Sequence, residues 1–98
     1  MAEINWTEEA QAWLKDIYEY IAVDNRDAAA RTVWGIFQKT QLLEHHPEIG
    51  YKYEAAGSRE IRILLYGHYR IAYLIKPDHN IDILGVFHGA LSIERYLV

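Results

Sequence analysis

No cysteine occurs among the 98 residues, so a disulfide framework and a thiolate metal site are both excluded, and the composition fits a reducing compartment. Long hydrophobic runs are missing too: no apolar stretch approaches the roughly 20 residues that a membrane-spanning helix needs. The opening Met1-Ala2-Glu3-Ile4-Asn5 has neither a basic region nor an apolar core, so no secretion signal is expected and the cytoplasm is the expected location. Basic charge is scarce, with ten Lys and Arg against fourteen Asp and Glu, a net charge of −4. A generic nucleic-acid binder would carry a strongly basic surface, and this chain does not. The deficit is uneven, however. Residues 1–50 hold four Lys/Arg against nine Asp/Glu, whereas residues 51–98 hold six against five. Any recognition of an anion is therefore expected to be local and to lie in the second half.

What is present is apolar and aromatic. About half of the residues are apolar and thirteen are aromatic, enough for one packed core, and the whole chain, 1–98, is expected to form a single domain. A domain of this size is marginally stable alone, so help from a partner chain is plausible on physical grounds.

Residues 2–6 read as a short strand. Thr7 then offers a helix N-cap, followed by Glu8 and Glu9 in the first turn, where the helix dipole favours acids. Ala10, Trp13, Leu14, Ile17, Tyr18 and Ile21 recur at spacings of three and four, which predicts an amphipathic helix to about Ala22. Asp24-Asn25-Arg26-Asp27 breaks that pattern and offers a second N-cap. Ala29, Ala30, Val33, Ile36, Phe37, Thr40 and Leu43 give a second stripe, expected to stop at His45-His46-Pro47. Two helices joined by so short a loop form an antiparallel hairpin, and a sheet must cover their stripes. Residues 48–58 read as loop, with room for a short edge strand around Tyr51–Tyr53. Glu60–Tyr66, Tyr69–Ile75 and Ile81–Phe87 then read as strands of a meander, separated by turns at Gly67 and at Pro77-Asp78-His79-Asn80. Both faces of the first two are apolar, so both faces are expected to be covered. A short helical tail, Ala90–Leu97, ends the chain. The expected fold is α+β: an N-terminal strand, an antiparallel helix hairpin packed on a mostly antiparallel sheet of three to four strands, and a short C-terminal helix.

Arg59, Arg62, Arg70 and His88 stand out because they sit on or beside these apolar strands. A long cation placed next to a core needs an anion, a carbonyl or solvent to satisfy it. Neighbouring strands that carry several such cations can make a site for carboxylates or phosphates. Arg70 could equally pair with Glu60 or Asp82 across the sheet. His45-His46 does not suggest a metal, because adjacent helical residues point about 100° apart, and no metal or cofactor is expected. Trp34 and Tyr20 fall off the main stripes; they either broaden the core or stand exposed as partner contacts.

The order strand, helix hairpin, antiparallel meander resembles the ParE/RelE superfamily of bacterial type II toxins. The segments that carry the resemblance are Leu42-Leu43 followed by Pro47-Glu48-Ile49-Gly50, then Arg62, then Tyr69-Arg70-Ile71-Ala72-Tyr73, and finally Ile83-Leu84-Gly85-Val86-Phe87-His88-Gly89-Ala90. The resemblance implies two activities on one fold: poisoning of DNA gyrase, as in ParE-like members, and ribosome-dependent cleavage of mRNA, as in RelE-like members. A fold alone does not choose between them. RNA cleavage of the second kind needs a strand cation for the phosphate and a group for proton transfer. The matching positions are Arg62 and Arg70 for phosphate, with His88 or Tyr96 for the proton. RelE-like enzymes usually carry several lysines on the meander and a basic overall charge. Here the second half has only Lys52 and Lys76. That departure, and the ending Gly85–Ala90, make the chain more ParE-like. The resemblance also implies a cognate antitoxin, with gyrase or the ribosome as target, and no sequence-specific binding of nucleic acid by this chain alone. A third reading is an inactive homologue that serves only as an antitoxin-binding module.

Overall fold

The computed structural model describes residues 1–89 and 93–97, with Glu94 described by its backbone alone. Strand β1 (Ile4–Trp6) leads into helix α1 (Glu8–Ala22), and helix α2 (Arg26–Gln41) follows. Thr7 caps α1 with its hydroxyl accepting from Ala10 N–H at 3.1 Å, while the same hydroxyl donates to the Ile83 carbonyl at 2.7 Å. One side chain thus starts the helix and ties it to the sheet. Asn25 caps α2 in the same way, accepting from Ala28 N–H at 3.0 Å. The second helix ends earlier than its stripe suggests. From Leu42 to Glu44 the chain tightens into a 3₁₀ turn, before the proline at 47 imposes its restriction.

Strand β2 is only Tyr51–Lys52, and a 3₁₀ turn at Glu54–Ala56 follows. Strands β3 (Glu60–Tyr66), β4 (Tyr69–Ile75) and β5 (Ile81–His88) form the meander, and helix α3 (Glu94–Leu97) lies beyond it. Residues 90–92 of the expected helical tail lie outside the described residues. The β3–β4 turn has Gly67 at φ 56°, with the left-handed φ confined to the first central position, as a type II′ hairpin requires.

The sheet corrects the expected strand count. Among the described residues it has five strands in the order β1-β5-β4-β3-β2, and it is mixed, because β1 runs parallel to β5. A parallel neighbour needs a long crossover, and the helix hairpin supplies part of it. Its two faces are covered differently. On one face Leu64, Ile71, Tyr73, Ile81, Ile83 and Val86 pack with Ala10, Ile36 and Leu43 of the helical layer. On the other, Ile61, Ile63, Ala72 and Phe87 pack with Ile93 and Leu97 at the C-terminal end.

A β-bulge decides which side chains of β5 reach which face. Ala72 pairs with Gly85 but Tyr73 pairs with Ile83, so Leu84 is an extra residue. Without it, Phe87 would continue the helix-facing row of Ile81 and Ile83. With it, Val86 and His88 take that row and Phe87 turns to the opposite face.

Candidate functional site at the β4–β5 end of the sheet

The register separates residues that the chain order suggests as one group. Arg62 pairs with Tyr73, three residues along β4 from Arg70, and residues an odd number apart point to opposite faces. Arg62 lies on the helix-covered face and Arg70 on the other. His88 pairs with Tyr69, again on the helix-covered face, but toward the opposite end of the sheet from Arg62. Five positions of β5 separate His88 from Ile83, which faces Tyr73; at about 3.3 Å per residue this is roughly 16 Å. Arg62, Arg70 and His88 therefore do not converge on one phosphate-sized point. Nor does Arg70 face Glu60 or Asp82. Those acids stand opposite Ile75 and Leu74, at the far end of β4. Glu60 accepts from Arg62 instead, and Asp82 pairs with Lys76.

Arg62 is occupied in holding a loop. Its Nη1 donates to the Gly50 carbonyl at 2.8 Å and to the Glu48 carbonyl at 3.2 Å, while its Nε donates to Glu60 Oε2 at 3.2 Å. Beside it the buried Tyr73 hydroxyl donates to the Pro47 carbonyl at 2.6 Å and accepts from Gly50 N–H at 3.0 Å. The hydrogen-bonding groups of the 47–50 loop thus converge on two side chains of the sheet. Burial pushes the Tyr73 hydroxyl above its ordinary pKa of 10.0, against the opposing pull of the Gly50 N–H and the Arg62 charge.

The other three candidates gather around the β4–β5 end. Arg70 stands between Leu65 and Phe87 in the register, and its Nη2 donates a long hydrogen bond of 3.4 Å to the Gly89 carbonyl. Phe87 stacks on Tyr96 with ring centroids 5.4 Å apart, and Trp13 meets both rings edge-on, at 4.8 Å and 4.9 Å. Phe87 is thus the neighbour of both, of Arg70 across the register and of Tyr96 by ring stacking. Tyr96 fixes α3 to the sheet, and Arg59 helps by donating to the Leu97 carbonyl at 2.8 Å.

On the helix-covered side, His88 stacks near His68 with ring centroids 6.4 Å apart and meets Tyr69 edge-on at 5.9 Å. There α1 stands off the sheet and leaves a cleft of about 570 Å³ between Trp13, Asp16, Ile17 and Tyr20 on the helix and Tyr69, Val86 and His88 on the strands. It is open and mostly apolar, with the Asp16 carboxylate, the His88 imidazole and the Tyr20 and Tyr69 hydroxyls as its polar side-chain groups. Such a cleft can seat an apolar side chain and orient it by one or two polar contacts. Sequence reasoning did not find Trp13 and Asp16 as lining residues, nor the His68–His88 pair. The signal for the pair was Gly85, since a glycine inside a strand pattern often marks a bulge that re-aims the side chains beyond it.

Tyr20 is 83% exposed and Trp34 is 58% exposed, so neither merely broadens the core. Trp34 stacks on Phe37, which in turn stacks on Trp6, a ladder that leads from the exposed Trp34 ring to the edge of the core. His45 and His46 are exposed at the end of the 3₁₀ turn. Among the described residues no cluster of three or more His, Asp or Glu side chains could hold a metal, and no helix is long and apolar enough to cross a membrane.

Comparison with known proteins agrees with this architecture. A solved chain described as "Chromosomal ParDE TA system from P. aeruginosa" superposes with a TM-score of 0.74 at 22% identity, covering 90% of this chain and 96% of that one, a likeness of fold. A protein of Sinorhizobium fredii (strain NBRC 101917 / NGR234) named "Putative toxin Y4kP" is 36% identical over 86 residues, 88% of this chain and 86% of its own length. The family model described as "ParE toxin of type II toxin-antitoxin system, parDE" matches residues 4–91. By that match, which spans all five strands of the sheet and the whole helix hairpin, the chain belongs to the ParE toxin family of type II toxin–antitoxin systems.

Proposed function

We propose that this toxin stops growth by inhibiting DNA gyrase in the cytoplasm through protein–protein contact, and that a cognate antitoxin neutralises it. The observation that carries this reading is the separation of the candidate catalytic groups. In-line attack of a 2′-hydroxyl needs a cation on the phosphate and a proton-transfer group within hydrogen-bond reach of one reacting centre. Arg62 is bound to the 47–50 loop, Arg70 lies on the opposite face, and His88 lies beyond the bulge on the first face. Inhibition by contact has no such requirement. It needs an accessible surface, and the exposed Tyr96 ring with the half-buried Arg70 near it offers one. The net charge of −4 supports the same reading, because ribosomal RNA repels an acidic protein.

The test is induction of this chain alone in a bacterial host, with pulse labelling of DNA and protein synthesis. Early arrest of DNA synthesis with filamentous cells supports gyrase as the target. Early arrest of protein synthesis, with mRNA cut inside ribosomes, replaces it with the RelE-like endonuclease that would use Arg62, Arg70, His88 and Tyr96. Unimpaired growth points to an inactive homologue that only binds its antitoxin, or to a target that the host lacks.

A further inference from the structure

Helix α1 carries four acids, Glu8, Glu9, Asp16 and Glu19, against one base, Lys15. Lys15 lines a separate groove with Trp6, Leu14 and Phe37, so it does not answer the acid beside it in sequence. The residues three and four positions from Asp16 are Ala12, Trp13, Glu19 and Tyr20, none of them basic. Among the described residues the ion pairs join Arg62 to Glu48 and Glu60 and Lys76 to Asp82, and none uses Asp16. A carboxylate without a counter-ion is ordinary on an open surface. Asp16 is placed differently. Exposed itself, it borders the cleft of about 570 Å³ whose other lining residues are Trp13, Ile17, Tyr20, Tyr69, Val86 and His88.

This lining discriminates among occupants. An anion is repelled by Asp16. A wholly apolar side chain would strip water from the carboxylate and offer it nothing in return. A cation on an apolar stem satisfies both halves of the cleft. Its methylenes can cover Ile17 and Val86, while its charge meets the carboxylate and the aromatic wall of Trp13, Tyr20 and Tyr69, whose rings attract cations through their quadrupole. Of the two long basic side chains, arginine fits better than lysine. Its guanidinium is planar and weakly hydrated, stacks on aromatic rings and bonds a carboxylate through two N–H groups. Tyr20, 83% exposed, has the most surface to gain from such a contact.

We infer that the cleft is a socket for an arginine side chain of the toxin's target, with Asp16 as its counter-ion. The inference rests on the gyrase reading and adds the chemistry of one contact to it. Continuity with the surface named there points to the target as the source of the arginine. Trp13 lines the cleft and also meets Tyr96 edge-on at 4.9 Å, so a protein seated on Tyr96 and Arg70 reaches the cleft in the same approach. Arginine anchors set in aromatic pockets are recurrent hot spots of protein interfaces.

The test is inhibition of supercoiling by purified DNA gyrase, with the toxin titrated as wild type, Asp16→Asn, Asp16→Lys and Asp24→Lys. Asp16 lies on the exposed side of α1 and Asp24 in the exposed loop between the helices, so all are expected to fold, which far-ultraviolet dichroism checks. Asp16→Asn is expected to need about tenfold more toxin for half inhibition, and Asp16→Lys more still. Asp24→Lys changes the net charge as Asp16→Lys does and is expected to match wild type. A second arm follows the chemical shifts of the isotope-labelled toxin with N-acetylarginine amide and with N-acetylcitrulline amide, its uncharged isostere. Shifts at Trp13, Asp16, Tyr20 and Val86 are expected from the arginine compound alone, and are expected to vanish in Asp16→Asn. Wild-type toxin that leaves supercoiling intact would remove the gyrase reading, and the inference with it. Full inhibition by both Asp16 variants, an equal loss in Asp24→Lys, or equal shifts from the citrulline compound would each overturn the inference and leave gyrase as the target.

Discussion

Replacing Arg62 with methionine asks whether this arginine serves the fold or the toxic site. Methionine keeps most of the apolar stem and removes the guanidinium, so packing changes little. The side chain is 17% exposed, and its charge-assisted hydrogen bonds to the Gly50 and Glu48 carbonyls are shielded from water. Bonds of this kind contribute about 1.5–3 kcal/mol each when well formed. The Gly50 bond, at 2.8 Å, qualifies; the Glu48 carbonyl contact at 3.2 Å is weaker, and the ion pair to Glu48, whose side chain is 70% exposed, adds little. The expected loss is about 2–3 kcal/mol. For a domain of this size each kcal/mol lowers Tm by roughly 4–8 °C, so a fall of roughly 10–20 °C is expected. Urea unfolding followed by fluorescence would give the free energy. Growth inhibition below the new Tm would show whether toxicity survives, as expected for a residue that holds a loop. Unchanged stability with toxicity lost would refute the reasoning and place Arg62 in the site.

Other substitutions probe the same lock and the opposite face. Tyr73→Phe leaves Gly50 N–H and the Pro47 carbonyl without their buried partner, and a loss of about 1–3 kcal/mol in urea unfolding is expected. The raised pKa of Tyr73 adds a pH signature: the neutral hydroxyl is the form the fold prefers, so its contribution is complete below pH 10.0 and is lost as pH rises through the higher folded value. The stability gap between wild type and Tyr73→Phe should therefore narrow above pH 10.0 and stay constant through neutral pH. Gly50→Ala would put a Cβ 2.8 Å from the Ile63 carbonyl and the Tyr73 ring, an overpacking that costs about 1–3 kcal/mol in the same assay. Arg70→Ala is expected to abolish growth inhibition while leaving the far-ultraviolet dichroism and Tm near wild type; a toxic, folded variant would remove Arg70 from the site.

Much of this architecture was legible because period and punctuation agreed. Thr7 and Asn25 announce the two helices, and Gly67 and the Pro77–Asn80 turn divide the meander as the strands observe. Three features were not legible. The parallel pairing of β1 with β5 is a contact between ends of the chain, and no local pattern in Ile4–Trp6 encodes it. The early end of α2 reflects the 3₁₀ tightening at Leu42, which stays within the helical period of the apolar stripe. The bulge at Leu84 reverses the alternation of β5, so counting by twos from Ile81 assigns His88 to the wrong face. The candidate site is where the register matters most. Arg62 and Arg70 are close in sequence and on neighbouring strands, but eight residues and a two-residue turn set them on opposite faces. Only the register shows this.

The central claim is that the toxin acts by contact with gyrase and not by cutting RNA. The most direct measurement adds the purified chain to DNA gyrase in a supercoiling reaction, and separately to translating ribosomes carrying a labelled mRNA. The account predicts loss of supercoiling at stoichiometric toxin, with the mRNA intact. Normal supercoiling together with cleavage of the ribosome-bound mRNA would contradict it.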